Sequence, residues 1–270
     1  MTTGQVTAEI RSDGKLPFIE IENVAKRYES RLGESVNAIE EGSLEIGRGE
    51  FISLVGPSGC GKSTLLKIVG RLLPPSAGLV RYRGIASGEK RPRLGMVFQE
   101  SLLLPWRTVL DNTLLPVEVM GLDRQAGRQR ALELIHLVGL KGFEQKYPFE
   151  LSGGMQQRAS IARALVSEPE LLLMDEPFGA LDALTREQMA QELQDIWSRT
   201  RKTVVFVTHS ISEAVHLSDR VVVMSGRPSR IADNIEIALP RPRTLDMMTD
   251  PAFGAYVSRI RRLLLAKTEM

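Results

Sequence analysis

The sequence predicts an α/β fold: a mostly parallel sheet with helices on both faces, preceded by antiparallel strands and interrupted by a helical insertion. Three successive textures in the 270 residues carry this prediction. Residues 18–55 alternate apolar and polar in short bursts, residues 100–150 follow helical spacing, and residues 171–224 alternate apolar runs with an amphipathic helix. Apolar strands that alternate with helices need crossover connections, and such connections build a parallel sheet. A chain of this length can bury a sizeable core as one domain with a subdomain inserted.

The first texture contains Phe18-Ile19-Glu20-Ile21-Glu22 and Leu44-Glu45-Ile46, separated by Gly42 and by Gly47-Arg48-Gly49. Alternation between glycine turns reads as antiparallel strands, which lead into a buried one at Phe51-Ile52-Ser53-Leu54-Val55. In the second texture Asp123 is placed to cap a helix. Ala131, Leu134, Ile135 and Val138 follow the helical rhythm, and Gly139 stops it. The third predicts strands at residues 171–174, 203–208 and 220–224 around a helix at 185–197. A last helix carries Phe253, Tyr256, Val257, Ile260 and Leu264 on one face. Residues 18–245 are expected to form the α/β domain, with the helical subdomain inserted at about residues 100–154. Residues 246–270 would form a helical tail.

Composition narrows the setting. Hydrophobic residues at 43% and charged residues at 25% are ordinary for a globular protein and exclude general disorder. A net charge of +2 gives no strong field towards nucleic acid or anionic lipid, so no nucleic-acid partner is expected. Arg241, Arg243, Arg259, Arg261 and Arg262 cluster late and are expected on a solvated face. Cys60, the single cysteine, cannot form an intramolecular disulfide. Residues 1–17 lack the apolar core of a secretion signal, and no apolar run approaches the ~20 residues that span a bilayer. The expectation is a cytoplasmic chain whose dealings with a membrane go through partners.

Gly56-Pro57-Ser58-Gly59-Cys60-Gly61-Lys62-Ser63 fits the phosphate-binding pattern G-x-x-x-x-G-K-[ST]. Glycines let backbone N–H groups turn inward around phosphate oxygens, where a Cβ would obstruct. The helix beginning near Lys62 adds the positive end of its dipole. Lys62 is then placed for the β- and γ-phosphates and the Ser63 hydroxyl for Mg²⁺. Cys60 is a small occupant of a variable position. A buried strand before the loop and a helix after it, at residues 63–69, supply the context that the pattern requires.

Leu171-Leu172-Leu173-Met174-Asp175-Glu176 is an apolar strand that ends in two carboxylates. In open α/β sheets, ligands sit beyond the carboxyl ends of strands. With the phosphate loop upstream, Asp175 is assigned to Mg²⁺ through its water shell and Glu176 to the attacking water. Adjacent carboxylates repel unless a cation compensates, and Mg²⁺ supplies that compensation. Val204-Val205-Phe206-Val207-Thr208 is a second buried strand, with His209 at its end. If the two strands are parallel, His209 emerges on the same rim, placed to contact the γ-phosphate and to hold the water–Glu176 geometry. His136 and His216 fall within helical patterns and are read as structural.

A second anion site is suggested at Leu151-Ser152-Gly153-Gly154, where Ser152 suits an N-cap and the glycines expose backbone N–H groups. The bland reading is a capped helix with a flexible hinge; the sharper one is a site for the γ-phosphate held by another subunit. The run Leu151-Ser152-Gly153-Gly154-Met155-Gln156-Gln157-Arg158 closely resembles the signature motif of ABC (ATP-binding cassette) ATPases, and the family's other motifs stand in order. Tyr28 matches the aromatic that stacks on adenine, and Gly56 to Thr64 the Walker A loop. Gln99 matches the glutamine that touches Mg²⁺ and senses the γ-phosphate. Residues 171–176 match Walker B, Ala180-Leu181-Asp182 the D-loop, and His209 the switch histidine. The resemblance covers about residues 18–240.

That resemblance implies a P-loop NTPase (RecA-like) core with an antiparallel β subdomain and an inserted α-helical subdomain. It implies ATP and Mg²⁺ as ligands. It further implies a homodimer that sandwiches two ATP molecules, each between one P-loop and the opposite signature. One cassette without a membrane span is similar to bacterial importer ATPases. Those sit on the cytoplasmic face of the membrane, bound to permease subunits that a secreted or periplasmic solute-binding protein feeds. Leu103-Leu104-Pro105-Trp106, Glu213-Ala214-Val215, Ser218-Asp219-Arg220 and Leu239-Pro240-Arg241-Pro242-Arg243 look like nitrate, sulfonate and taurine importer ATPases. Ser210 departs from the aspartate frequent after the histidine. The alternative is an ATP-gated mechanical module, of the lipoprotein-release or cell-division type, that imports no solute.

Overall fold

Alternating apolar residues in the first texture do make paired strands. A computed structural model describes residues 16–29, 35–84 and 92–266. Strand β1 (Ile19–Glu29) pairs antiparallel with β2 (Ser35–Ile46). Ile19 faces Ile46 and Ile21 faces Leu44, so one face of the ribbon is apolar and buried. Strand β3 (Phe51–Val55) is fully buried, and helix α1 (Lys62–Val69) follows. Strand β4 (Ala77–Tyr82) returns to the outer edge of β1.

The parallel part assembles from β5 (Leu94–Val97), β6 (Leu171–Asp175), β7 (Thr203–Val207) and β8 (Arg220–Met224), with β3 between β7 and β8. Strand β9 (Ser229–Glu236) runs antiparallel to β8 and parallel to β2, which joins both parts into one nine-stranded sheet of order β4-β1-β2-β9-β8-β3-β7-β6-β5. Both faces of the parallel part are covered. Leu171 and Leu173 share a core with Leu65, Leu66 and Val69 of α1, whereas Leu172 and Met174 share the opposite one with α4 (Gly153–Leu165) and α5 (Ala183–Thr200). Burial on two faces explains why these strands read as continuous apolar runs. Each such side chain contributes about 1.5–3 kcal/mol on leaving water.

Helices α2 (Val109–Val119) and α3 (Arg124–Leu137) pack on α4 and complete the second of these cores, the one that holds Leu172 and Met174. Asp123 Oδ1 accepts from Ala126 N at 2.7 Å and caps α3, and Gly139 ends it at φ 74°. Helical structure begins later than residue 100, however. The fully buried Asn112 accepts from Leu104 N and donates to the carbonyls of Leu104 and Arg107, and these bonds hold the preceding stretch in an irregular path. Helix α6 (Ile211–Leu217) and the tail helix α7 (Pro251–Ala266) form a third core with β8 and β9. Phe253 and Ile260 are buried there, with Tyr256, Val257 and Leu264 packed alongside.

The late arginines are not one solvated face. Arg243 is 1% exposed and donates to the carbonyls of Val215, His216, Ser218, Ile237 and Leu239. Arg241 lies over the Trp197 ring at 4.2 Å and pairs with Asp219 at 2.8 Å. The physical reason is the end of α6, whose last carbonyls lack intrahelical partners and need donors. Arg259, Arg261 and Arg262 are exposed as expected, with Arg259 paired to Asp233. No described helix is long and apolar enough to cross a membrane.

Candidate active site

The site begins where β3 runs out. After Val55 the chain turns through Gly56 to Gly61, and α1 opens at Lys62 with no acidic residue in its first turn. Gly61 has φ 105°, and a Cβ there would lie 2.9 Å from the Ala38 carbonyl oxygen, so only glycine fits. Ser58 and Gly59 stand exposed at the rim, whereas Pro57 is half-buried. Cys60 points inward, and burial pushes its thiol above the usual range, as expected of a packing residue. Lys62 Nζ donates to the carbonyls of Gly56 and Pro57, each at 3.0 Å. Tyr28, from the end of β1, meets Thr64 by a hydroxyl contact of 3.3 Å.

The carboxylates arrive from β6. Strands β6 and β7 are parallel and in register, with Asp175 opposite Val207, so both release their next residues on one rim. Asp175 Oδ1 accepts from Ser63 Oγ at 2.7 Å. Glu176 N donates to Val207 O at 2.9 Å and holds Glu176 at φ 48°, a conformation uncommon for a side chain with a Cβ. Strain of this kind persists where surrounding contacts fix it, and it clusters at functional sites. His209 Nδ1 lies 3.2 Å from Glu176 Oε2.

Two cavities meet at this rim. One, of about 370 Å³, is lined by Ser63, Gln99, Asp175 and Glu176 among others. The second, of about 200 Å³, is lined by Tyr28, Lys62, Ser63, Thr64, Glu176 and Arg227 among others. A hydroxyl, an amide and a carboxylate around one space form an oxygen donor set for a hard cation such as Mg²⁺. No group of three or more His, Cys, Asp or Glu residues among the described ones could hold a metal by itself.

Ser152, Gly153, Gly154 and Asp182 are not among the residues lining either cavity. Ser152 Oγ caps α4 by accepting from Met155 N at 3.3 Å, and Ser152 and Gly153 are exposed. Asp182 caps α5 by accepting from Thr185 N at 3.0 Å, a bond that holds its carboxyl below the usual range. These two helix starts neighbour one another, since a Cβ on Gly154 would touch Thr185 at 3.1 Å. Sequence reasoning missed Arg227, which lines the cavity from the β8–β9 turn and donates Nε to Gly59 O. No motif spacing links a turn arginine to a loop 168 residues earlier.

A family model described as ABC transporter matches residues 39–179. The chain belongs to the ABC transporter family. It is 48% identical to an ABC transporter ATP-binding protein of Methanocaldococcus jannaschii, over 91% of each chain. It is 45% identical to the taurine import ATP-binding protein of Rhizobium johnstonii, over 92% of this chain and 96% of that one. Among solved structures it resembles a dimeric ATP-binding cassette in a post-hydrolysis state bound to ADP and Pi. The TM-score is 0.70 at 34% identity, covering 82% of this chain and all of that one. The cassette described here is therefore an ATPase with a P-loop NTPase core.

Proposed function

We propose that this cassette powers an importer, as a homodimer that closes over two ATP molecules and works a separate membrane permease. The observation that carries the dimer is the start of α4. Ser152 and Gly153 present an exposed helix N-terminus suited to an anion, yet they line neither cavity of their own chain. A second copy would bring that helix end to the phosphates held by the P-loop.

In the proposed chemistry, backbone N–H groups of the P-loop and Lys62 bind the β- and γ-phosphates, and Tyr28 stacks on the base. Ser63, Gln99 and Asp175 would hold Mg²⁺, which would neutralise phosphate charge when bound. Glu176 draws a proton from the attacking water. His209 holds the Glu176 carboxylate in place and reaches the γ-phosphate. Ser152, Gly153 and Gly154 of the opposite copy complete the site, and Asp182 fixes the loop beside them.

Docking to a permease is supported by Leu102 and Trp106, 52% and 71% exposed just after Gln99. Contiguous exposed apolar patches, unlike single side chains, mark contacts with partners, and these two are taken as parts of one such patch. The cargo proposed is a small anion such as nitrate, a sulfonate or taurine, delivered by a secreted or periplasmic binding protein. The cassette would then sit on the cytoplasmic face of the membrane. The test is reconstitution of the cassette with its co-purifying membrane partner in liposomes. ATP-driven uptake of labelled taurine, sulfonate or nitrate is expected. ATP turnover with no uptake of any small anion would contradict the importer reading.

A further inference from the structure

Behind Glu176 and His209 lies a buried carboxylate that the proposed hydrolysis does not use. Glu213, in the first turn of α6, is 7% exposed, and burial pushes its carboxyl above the usual range. Its Oε2 accepts from Thr208 Oγ1 at 2.6 Å, and its Oε1 lies 3.6 Å from Arg186 Nε. Thr208 immediately precedes His209, and its Oγ1 also accepts from Ser210 N at 2.9 Å. Arg186, in the first turn of α5, donates Nη2 to Leu181 O at 3.0 Å. Leu181 belongs to the loop that leaves Glu176, where Gly179 N donates to Glu176 O at 3.0 Å. One carboxylate therefore joins the two loops that carry the two ends of the Glu176–His209 contact.

A charge is an expensive way to fill such a place, because a buried carboxylate is tolerated only with its partners fixed around it. Arg186 supplies the counter-charge, and its Nε is buried with no hydrogen-bond partner among the described residues. The guanidinium thus divides between the loop carbonyl on one side and Glu213 on the other. Displacing either loop changes the distance of this ion pair, so the pair favours one relative placement of both.

We propose that Glu213 and Arg186 are positioning residues for hydrolysis, setting the loop after Glu176 against the Thr208–His209 turn so that the two side chains meet. The proposal rests on Glu176 being the hydrolytic carboxylate and goes beyond it.

The test is a double-substitution cycle in the full chain: Arg186→Gln, Thr208→Val and both together, read as kcat and KM for ATP with Mg²⁺. Independent effects multiply; residues coupled through a shared partner do not. Each single substitution should lower kcat about 5- to 20-fold, with the double falling about as far as one of them and KM staying within about 2-fold. Arg186→Lys, which keeps the charge, should recover at least half of what Arg186→Gln loses. Glu213→Gln should lower kcat about 10-fold at unchanged KM, and the cycle decides the matter even if that variant fails to fold. Multiplying losses, or a lowered Tm with unaltered kcat in folded variants, would overturn the proposal. Glu176→Gln, measured alongside, separates the two levels. Parental turnover in that variant would remove the site reading itself, whereas a dead Glu176→Gln beside a fully active Glu213→Gln would remove only the role of Glu213.

Discussion

His209 Nδ1 stands 3.2 Å from Glu176 Oε2, a contact between side chains 33 residues apart that exists because β6 and β7 run parallel and in register. Glu176 is held at φ 48° by its own backbone bond to Val207, so its carboxylate has a fixed base from which to reach. Glu176→Gln keeps the shape and removes the proposed proton acceptor. Steady-state hydrolysis should fall about 10²–10⁴-fold while equilibrium ATP binding is retained. Turnover at the parental rate would take the general-base role away from Glu176.

Arg227 should strengthen nucleotide binding. Its guanidinium lines the cavity with Tyr28 and Lys62, and its bond to Gly59 O ties the β8–β9 turn to the phosphate loop. Arg227→Ala should weaken ATP binding about 5- to 10-fold in a titration with a fluorescent ATP analogue, the scale of one charge-assisted contact in a solvent-exposed place. Unchanged affinity would show that the arginine only decorates the rim.

His216 should make the fold sensitive to acid. Burial, with Arg243 and Arg241 close by and Asp195 in partial opposition, pulls its imidazole down to about 4. The folded state then binds fewer protons than the unfolded one, so this contribution to stability is complete above the unfolded value of about 6.5 and is lost as pH falls towards 4. Between about pH 7.5 and about pH 5 the loss should be about 2 kcal/mol. Neither ring nitrogen has a hydrogen-bond partner among the described residues, so His216→Leu should leave stability near neutrality intact. Urea unfolding at both pH values, compared between the two proteins, reads this directly: an equal loss in each would move the acid sensitivity elsewhere.

Arg243 should matter to stability far more than the exposed arginines of the tail helix. Arg243→Met leaves five carbonyls around the end of α6 without their donor and should cost about 3–5 kcal/mol in urea unfolding. Arg261→Met, on the exposed face of α7, should change it by about 0.5 kcal/mol or less. Similar small effects from both would contradict the buried role.

What could be read in advance was whatever depends on local periodicity or on a loop's own backbone needs. The two-face burial of β6 is visible as Leu171-Leu172-Leu173-Met174, and the tight turn at Gly61 is visible as a glycine before lysine. The N-caps Asp123 and Ser152 were legible for the same reason, since each acts within three residues. Residues whose purpose is set by a distant partner were not. Arg243 looks like one more surface charge until the orphan carbonyls of α6 are placed beside it, and Arg227 acquires its place only when β8 and β9 fold back to the P-loop. Asn112, from within α2, holds the stretch before the helix in an irregular path, which no reading of those earlier residues reveals.

The proposal that each active site is built from two copies is tested most directly by mixing two damaged ones. Lys62→Ala damages the phosphate cradle. Gly153→Asp puts a negative charge at the start of α4, where a Cβ meets nothing of its own chain closer than 3.9 Å, so the substitution should not disturb the fold. Each homodimer would then have two broken sites. A mixed dimer concentrates both lesions in one site and leaves the other whole, built from the Gly153→Asp P-loop and the Lys62→Ala signature. The measurement is cross-linking between differently tagged copies with and without ATP. The account predicts ATP-dependent mixed dimers from two proteins that form none alone, and ATP-independent or absent mixed dimers would contradict it.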